Sequence, residues 1–191
     1  MKLLKFILVF LIISCFTYGD EWHVKKGSDN LVKFTSSTIV LDFDGTTNNI
    51  DGYIYWEGKE LFTGKNEIYF EVPLNTVKTG IGKRDRDMRE DVLETNLWPI
   101  TYFKGNIVNV KQNKNQNKYT IKVKGKMFIH GVEKELEIPG DIKIENEIMS
   151  VTSNFSVFLK DYNIEAPSLL AFIKVAQEIK LNLNFKLEQS R

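Results

Sequence analysis

Cysteine occurs once in the 191 residues and histidine twice. Cys15 has no partner in the chain, so a disulfide-stapled scaffold is excluded. The same shortage leaves almost no material for thiolate zinc sites or Cys–His catalysis. Charge of one sign is also lacking: 26 Lys and Arg stand against 25 Asp and Glu, for a formal net charge of +1. No basic field is available to gather nucleic acid. The longest apolar run, Leu3 to Phe16 interrupted by Lys5 and Ser14, falls short of the roughly 20 residues that cross a bilayer as a helix. What the chain does have is 42% hydrophobic and 12% aromatic residues, enough for a real core and too much for a disordered segment.

The first 19 residues read as an export signal, with Lys2 and Lys5 ahead of the short apolar core. Two exits fit. Cleavage before Cys15 would follow Ile12-Ile13-Ser14-Cys15, which resembles the bacterial lipobox and would turn the cysteine into a lipid anchor. Cleavage after Gly19 would release a soluble chain. Residues 20–191 then form one extracytoplasmic domain, periplasmic or secreted, and membrane-associated only through a lipidated Cys15.

Beyond residue 21 the dominant period is two. Ile179, Leu181, Leu183, Phe185 and Leu187 alternate with polar residues, as do Tyr119, Ile121, Val123, Met127 and Ile129. Similar stripes run through Ile68–Leu74 and Val151–Leu159. Such alternation predicts antiparallel strands with one wet face. Turn signals at Asp44-Gly45, Asp51-Gly52, 112–118, His130-Gly131 and Pro139-Gly140 separate about eight strands. A sheet of that many strands, wet on one side, closes into an up-and-down β-barrel. Two segments break the pattern. Residues 84–96 place Met88, Val92 and Leu93 at helical spacing, a short amphipathic helix at a barrel mouth. Residues 167–173 suggest one helical turn with Pro167 near its start.

Three of four arginines, Arg84, Arg86 and Arg89, lie within six residues. Their guanidinium forks suit an anionic head group, whereas the interleaved Asp85, Asp87, Glu90 and Asp91 suit a helix laced with internal ion pairs, the commoner reading of such a charge run. His130, at a strand end, is a turn residue or, less simply, a head-group or haem contact. No metal-ligand spacing, nucleophile elbow or phosphate loop is present, so no catalytic residue, metal or cofactor is assigned. The inward stripes nominate Phe70, Val72, Ile121, Val123, Met127, Ile129, Phe155, Val157, Leu181, Leu183 and Phe185 as lining or filling a lumen.

Several ordered pieces resemble the YceI-like family: Phe43-Asp44-Gly45, Ile50-Asp51-Gly52-Tyr53, Leu74 to Gly80, Arg84-Asp85-Arg86-Asp87-Met88-Arg89, Leu97 to Gly105, Gly125 to Lys134, and Asp161-Tyr162-Asn163-Ile164 with Pro167. Asp87 stands where many relatives have histidine. The resemblance spans residues 22–188. It implies a lipocalin-like antiparallel barrel, exported to the envelope, that is not an enzyme and holds a polyisoprenoid or quinone-like amphiphile as its apolar ligand. Two alternatives stand beside this: an envelope interaction module tethered through Cys15 with a filled core, and a haem- or quinone-linked redox accessory using His130.

Overall fold

The expected alternation is realised strand by strand in a computed structural model, which describes residues 19–190 except 28, 59, 60, 63, 115, 116, 171 and 172. Residues 1–18, which carry Cys15 and all but the last residue of the expected export signal, lie outside the described residues. Among the described residues twelve strands follow one another: β1 (Gly19–Val24), β2 (Leu31–Ser37), β3 (Asp42–Thr47), β4 (Asp51–Glu57), β5 (Asn66–Pro73), β6 (Ile100–Gln112), β7 (Lys118–Ile129), β8 (Val132–Glu145), β9 (Ile148–Phe158), β10 (Ser168–Leu170), β11 (Ile173–Lys174) and β12 (Glu178–Gln189). One helix, α1 (Gly82–Asp87), lies between β5 and β6.

Strands β4 to β9 form a meander, β12 follows β9, and β1 closes the ring between β12 and β4. This is the closed antiparallel barrel of eight strands. The β2–β3 hairpin is an addition to it, and it shares an edge of β12 with β1. Residues 187–189 of β12 pair with 22–24 of β1, whereas 180–184 pair with 31–35 of β2. At the handover Asn30, buried, fills the gap with its side chain. Its Oδ1 accepts from the Lys186 amide (3.0 Å) and its Nδ2 donates to the Lys25 carbonyl (3.1 Å). The outer edge of β3 is tied at Thr46, whose amide and carbonyl both bond Lys78.

Two halves result. Where β1 closes the ring, eight strands enclose an interior just wide enough for side chains to fill. Trp22, Ile54, Trp56, Ile142, Met149 and Leu187 are packed there. Phe62 from the β4–β5 loop plugs the lower end, its ring 4.9 Å from that of Trp56. Where the hairpin replaces β1, an extra strand widens the other half. This upper end also carries α1 and the β7–β8 turn.

Several expected turns are strand interiors instead. Asp44-Gly45 lies within β3, Asp51-Gly52 within β4 and Pro139-Gly140 within β8. A Cβ on Gly45 would sit 2.0 Å from the Phe34 ring, and one on Gly52 2.7 Å from the Phe70 Cα, so these glycines admit a neighbour rather than turn the chain. Pro139 falls where β8 has left its pairing with β9, a place that tolerates a missing N–H. Of the two-residue hairpins, His130-Gly131 was expected and Asn146-Glu147 was not. Both have positive φ at both positions, the geometry that matches strand twist.

The helix begins two residues earlier than expected. After Asp87 it widens into a single π turn over Met88–Val92, with the Leu93 amide donating to the Met88 carbonyl (2.9 Å). The expected turn at 167–173 is instead the β10–β11 ribbon, because the Val175 amide bonds back to the Pro167 carbonyl (3.0 Å). A 3₁₀ turn occurs earlier, at Leu159–Tyr162.

Candidate functional site: an apolar chamber in the upper half

The widened half encloses a cavity of about 600 Å³, within the roughly 300–1,000 Å³ typical of small-molecule sites. Register explains its walls. Phe70, Phe103 and Met127 are cross-strand partners along β5, β6 and β7. On the other side Phe155, Leu181 and Phe34 align across β9, β12 and β2. Val72, Ile129, Val157 and Leu183 extend the apolar lining. Phe185 lies beneath, its ring edge-on to Phe70 with centroids 4.8 Å apart. The segment from Thr79 to Leu93 roofs the chamber through Ile81, Arg84, Met88 and Val92.

Of the eleven residues nominated from the sequence, eight line this chamber: Phe70, Val72, Met127, Ile129, Phe155, Val157, Leu181 and Leu183. Ile121, Val123 and Phe185 do not. They face inward but belong to the packed half, since a period-two stripe marks the inner face along a whole strand and not its height in the barrel. Phe34, Phe43 and Ser36 of the hairpin also line the chamber. Val32, Phe34 and Ser36 alternate in the sequence, the signal that could have found them.

The three clustered arginines diverge. Arg84 alone reaches the cavity. Its Cζ lies 4.7 Å from the centroid of the Phe43 ring, its Nε donates to the Thr79 hydroxyl (2.8 Å) and its Nη2 to the Thr79 carbonyl (2.9 Å). Arg86 points to solvent, and Arg89 donates to the Asn75 carbonyl (3.0 Å). Both fall outside the lining because successive helical residues are about 100° apart around the axis. Lys83 and Asp87, missed in the sequence, line the mouth and pair across one helical turn at 2.5 Å.

Beneath the guanidinium, buried Asp85 accepts from the Thr79 amide (2.7 Å) and hydroxyl (2.5 Å). Burial alone would raise its pKa, but the Thr79 bonds and the charges of Arg89 and Arg84 outweigh this and hold the carboxyl below its ordinary value. Part of the charge on this segment is therefore internally paired, while Arg84 still presents one face to the chamber.

His130 does not line the cavity. Its Nε2 meets Glu94 Oε2 at 2.6 Å and its Nδ1 faces the Tyr162 carbonyl at 3.3 Å, which makes it a clasp between the roof and the wall. Tyr162 does line the cavity and is 2% exposed. Burial, then the neighbouring Asp161 charge, pushes its phenol up to about 12. The Tyr162 and Ser36 hydroxyls are buried without a hydrogen-bond partner among the described residues. No described group of three or more His, Cys, Asp or Glu is placed to hold a metal ion.

The sequence model of the YceI-like domain matches residues 22–187. Solved structures share the fold, among them the following three. BcnA of Burkholderia cenocepacia is 13% identical with a TM-score of 0.66, over 82% of this chain and 95% of its own. A polyisoprenoid-binding domain from Saccharophagus degradans, implicated in plant cell wall breakdown, is 13% identical with a TM-score of 0.66, over 88% and 98%. The Campylobacter jejuni YceI protein is 15% identical with a TM-score of 0.58, over 77% and 85%. No match to the chain occurs among curated proteins.

Proposed function

The chain belongs to the YceI-like domain family, and from that premise we propose that it is a non-enzymatic carrier for an apolar amphiphile, an isoprenoid or quinone-like lipid. The carrying observation is the chamber: about 600 Å³, walled by apolar side chains, floored by Phe185 and opening beside Arg84. Each buried methylene of a tail contributes about 0.8 kcal/mol, so a long chain binds without specific contacts. The polyisoprenoid-binding Saccharophagus domain supports the same ligand class. In this reading Arg84 meets the polar end of the ligand, and Arg86, Arg89 and His130 take no part in binding it.

Export belongs to the same proposal and is supported by the positive, then apolar, start of the sequence. Lipid anchoring at Cys15 is its variant form. The filled-core module describes the lower half of the barrel only, and a haem site at His130 competes with Glu94 and the Tyr162 carbonyl for both ring nitrogens.

Solvent extraction of the purified protein followed by mass spectrometry tests the carrier, together with uptake of a fluorescent C20 prenyl alcohol from dilute solution. An apolar molecule of defined mass, or saturable uptake lost in Leu181→Trp, is the expected result. A folded protein that yields no extracted apolar molecule and takes up no probe overturns the reading.

A further inference from the structure

The chamber's rim carries apolar side chains that stand exposed among the described residues. The β2–β3 turn presents Ile39, Val40 and Leu41 at 83%, 64% and 49% exposure. This is a built turn: the Thr38 amide and hydroxyl both donate to the Leu41 carbonyl (2.8 and 3.1 Å), and the Thr38 hydroxyl accepts from the amides of Val40 and Leu41 (3.3 and 3.1 Å). Three successive exposed apolar residues on a hydrogen-bonded loop contradict ordinary surface chemistry unless they serve a function.

Their placement matters. Ser36 and Phe43, at the base of that turn, line the chamber. Ile81 lines it while remaining 53% exposed, and so marks the opening itself. Phe158, between the lining residues Val157 and Leu159, is also exposed, with the Lys160 ammonium 5.8 Å from its ring centroid. Leu97 ends the turn after the roof. Six of the eight large exposed apolar side chains among the described residues thus lie at the upper end, the other two being Val108 and Val110 on β6.

We propose that this rim docks on a lipid membrane surface, so that the chamber exchanges its ligand with the bilayer directly. The inference rests on the lipid-carrier reading. An apolar tail leaving a bilayer through water exposes every methylene, and the barrier grows with chain length. A rim that inserts its own apolar side chains joins the bilayer interior to the chamber and removes that exposure. The patch lies at the end where the chamber opens beside Ile81, so a protein seated across it would block the route the chamber needs, whereas a bilayer supplies what enters. Lys83 and Lys160 stand at the same rim, as interfacial cations do beside buried apolar anchors. This attachment is independent of any lipid on Cys15.

The test uses phosphatidylcholine vesicles, a pyrene-labelled C20 prenyl alcohol, and the triple variant Ile39→Ser/Val40→Ser/Leu41→Ser, whose changes touch only exposed side chains. Transfer of the probe between vesicles by the wild-type protein is expected to accelerate with acceptor-vesicle concentration, the sign of collision. The variant is expected to lose at least tenfold in transfer rate and to fail to float with vesicles, with probe uptake from dilute solution unchanged. Transfer insensitive to vesicle concentration, or unaltered in the variant, overturns docking while leaving the carrier intact. Self-association of the wild-type protein that the variant abolishes also overturns it, by assigning the patch to a second copy. Absence of probe uptake from solution in the wild-type protein fails the carrier reading itself.

Discussion

Phe70 and Phe185 meet edge to face, centroids 4.8 Å apart, one ring in the chamber wall and the other in the packed half below. Their contact is the boundary between a barrel that is full and a barrel that is open. Phe185 is 2% exposed. Phe185→Ala should therefore cost about 3–5 kcal/mol, read from urea midpoints, and should let the chamber extend downward to accept a longer probe. Phe70→Ala, whose ring already borders open space, should cost less. Equal losses for the two would place the floor elsewhere.

Asn30 bridges the point where β12 changes partner. Asn30→Ala leaves the Lys186 amide and Lys25 carbonyl without their buried partners, a loss of about 1–3 kcal/mol. Hydrogen exchange checks this: amides around Lys186 should lose protection before those at 150–152.

Asp85 fastens the roof to Thr79. Asp85→Ala should raise hydrogen exchange across residues 79–92 while leaving the packed half protected. Because the carboxyl is held below its ordinary 3.8, its stabilisation is present above that pH and fades as pH falls through the lowered value. The roof should then loosen in acid before the barrel unfolds, and Asp85→Ala should flatten that acid limb.

Tyr162 titrates at about 12 in the folded protein against about 10 unfolded. A folded value raised this way means stability is retained below pH 10 and lost as pH rises toward 12. The fall is about 2–3 kcal/mol on the order of a two-unit shift. Chemical denaturation between pH 9 and 12 should show it, and Tyr162→Phe should remove it. Tyr53 and Tyr69 also stand near 12, Tyr53 chiefly through its bond to Glu67 and Tyr69 chiefly through burial, so tyrosinate absorbance is compared between wild type and variant.

The barrel was legible in the sequence because burial on one face imposes a period of two, and four long stripes carried that period, broken only at Gly125 and Ser153. The chamber was half legible. Residues such as Leu181 and Phe155 declare an inward face, but the height of Phe185 in the barrel depends on which partner closes β12, and no local pattern encodes that. Gly45, Gly52 and Gly140 misled for a related reason. Glycine beside Asp or Pro reads as a turn, whereas Gly45 and Gly52 make room for Phe34 and Phe70 across the strand pair. The arginine cluster gave a composition without a direction, and only the helix phase separates Arg84 from Arg86.

Sharing one edge of β12 between two partners divides labour along the barrel's length. The lower ring secures folding, whereas the β2–β3 hairpin sets the width of the chamber above it. Lengthening that one hairpin, or changing its inward side chains, would resize the chamber while leaving the closed core below it intact.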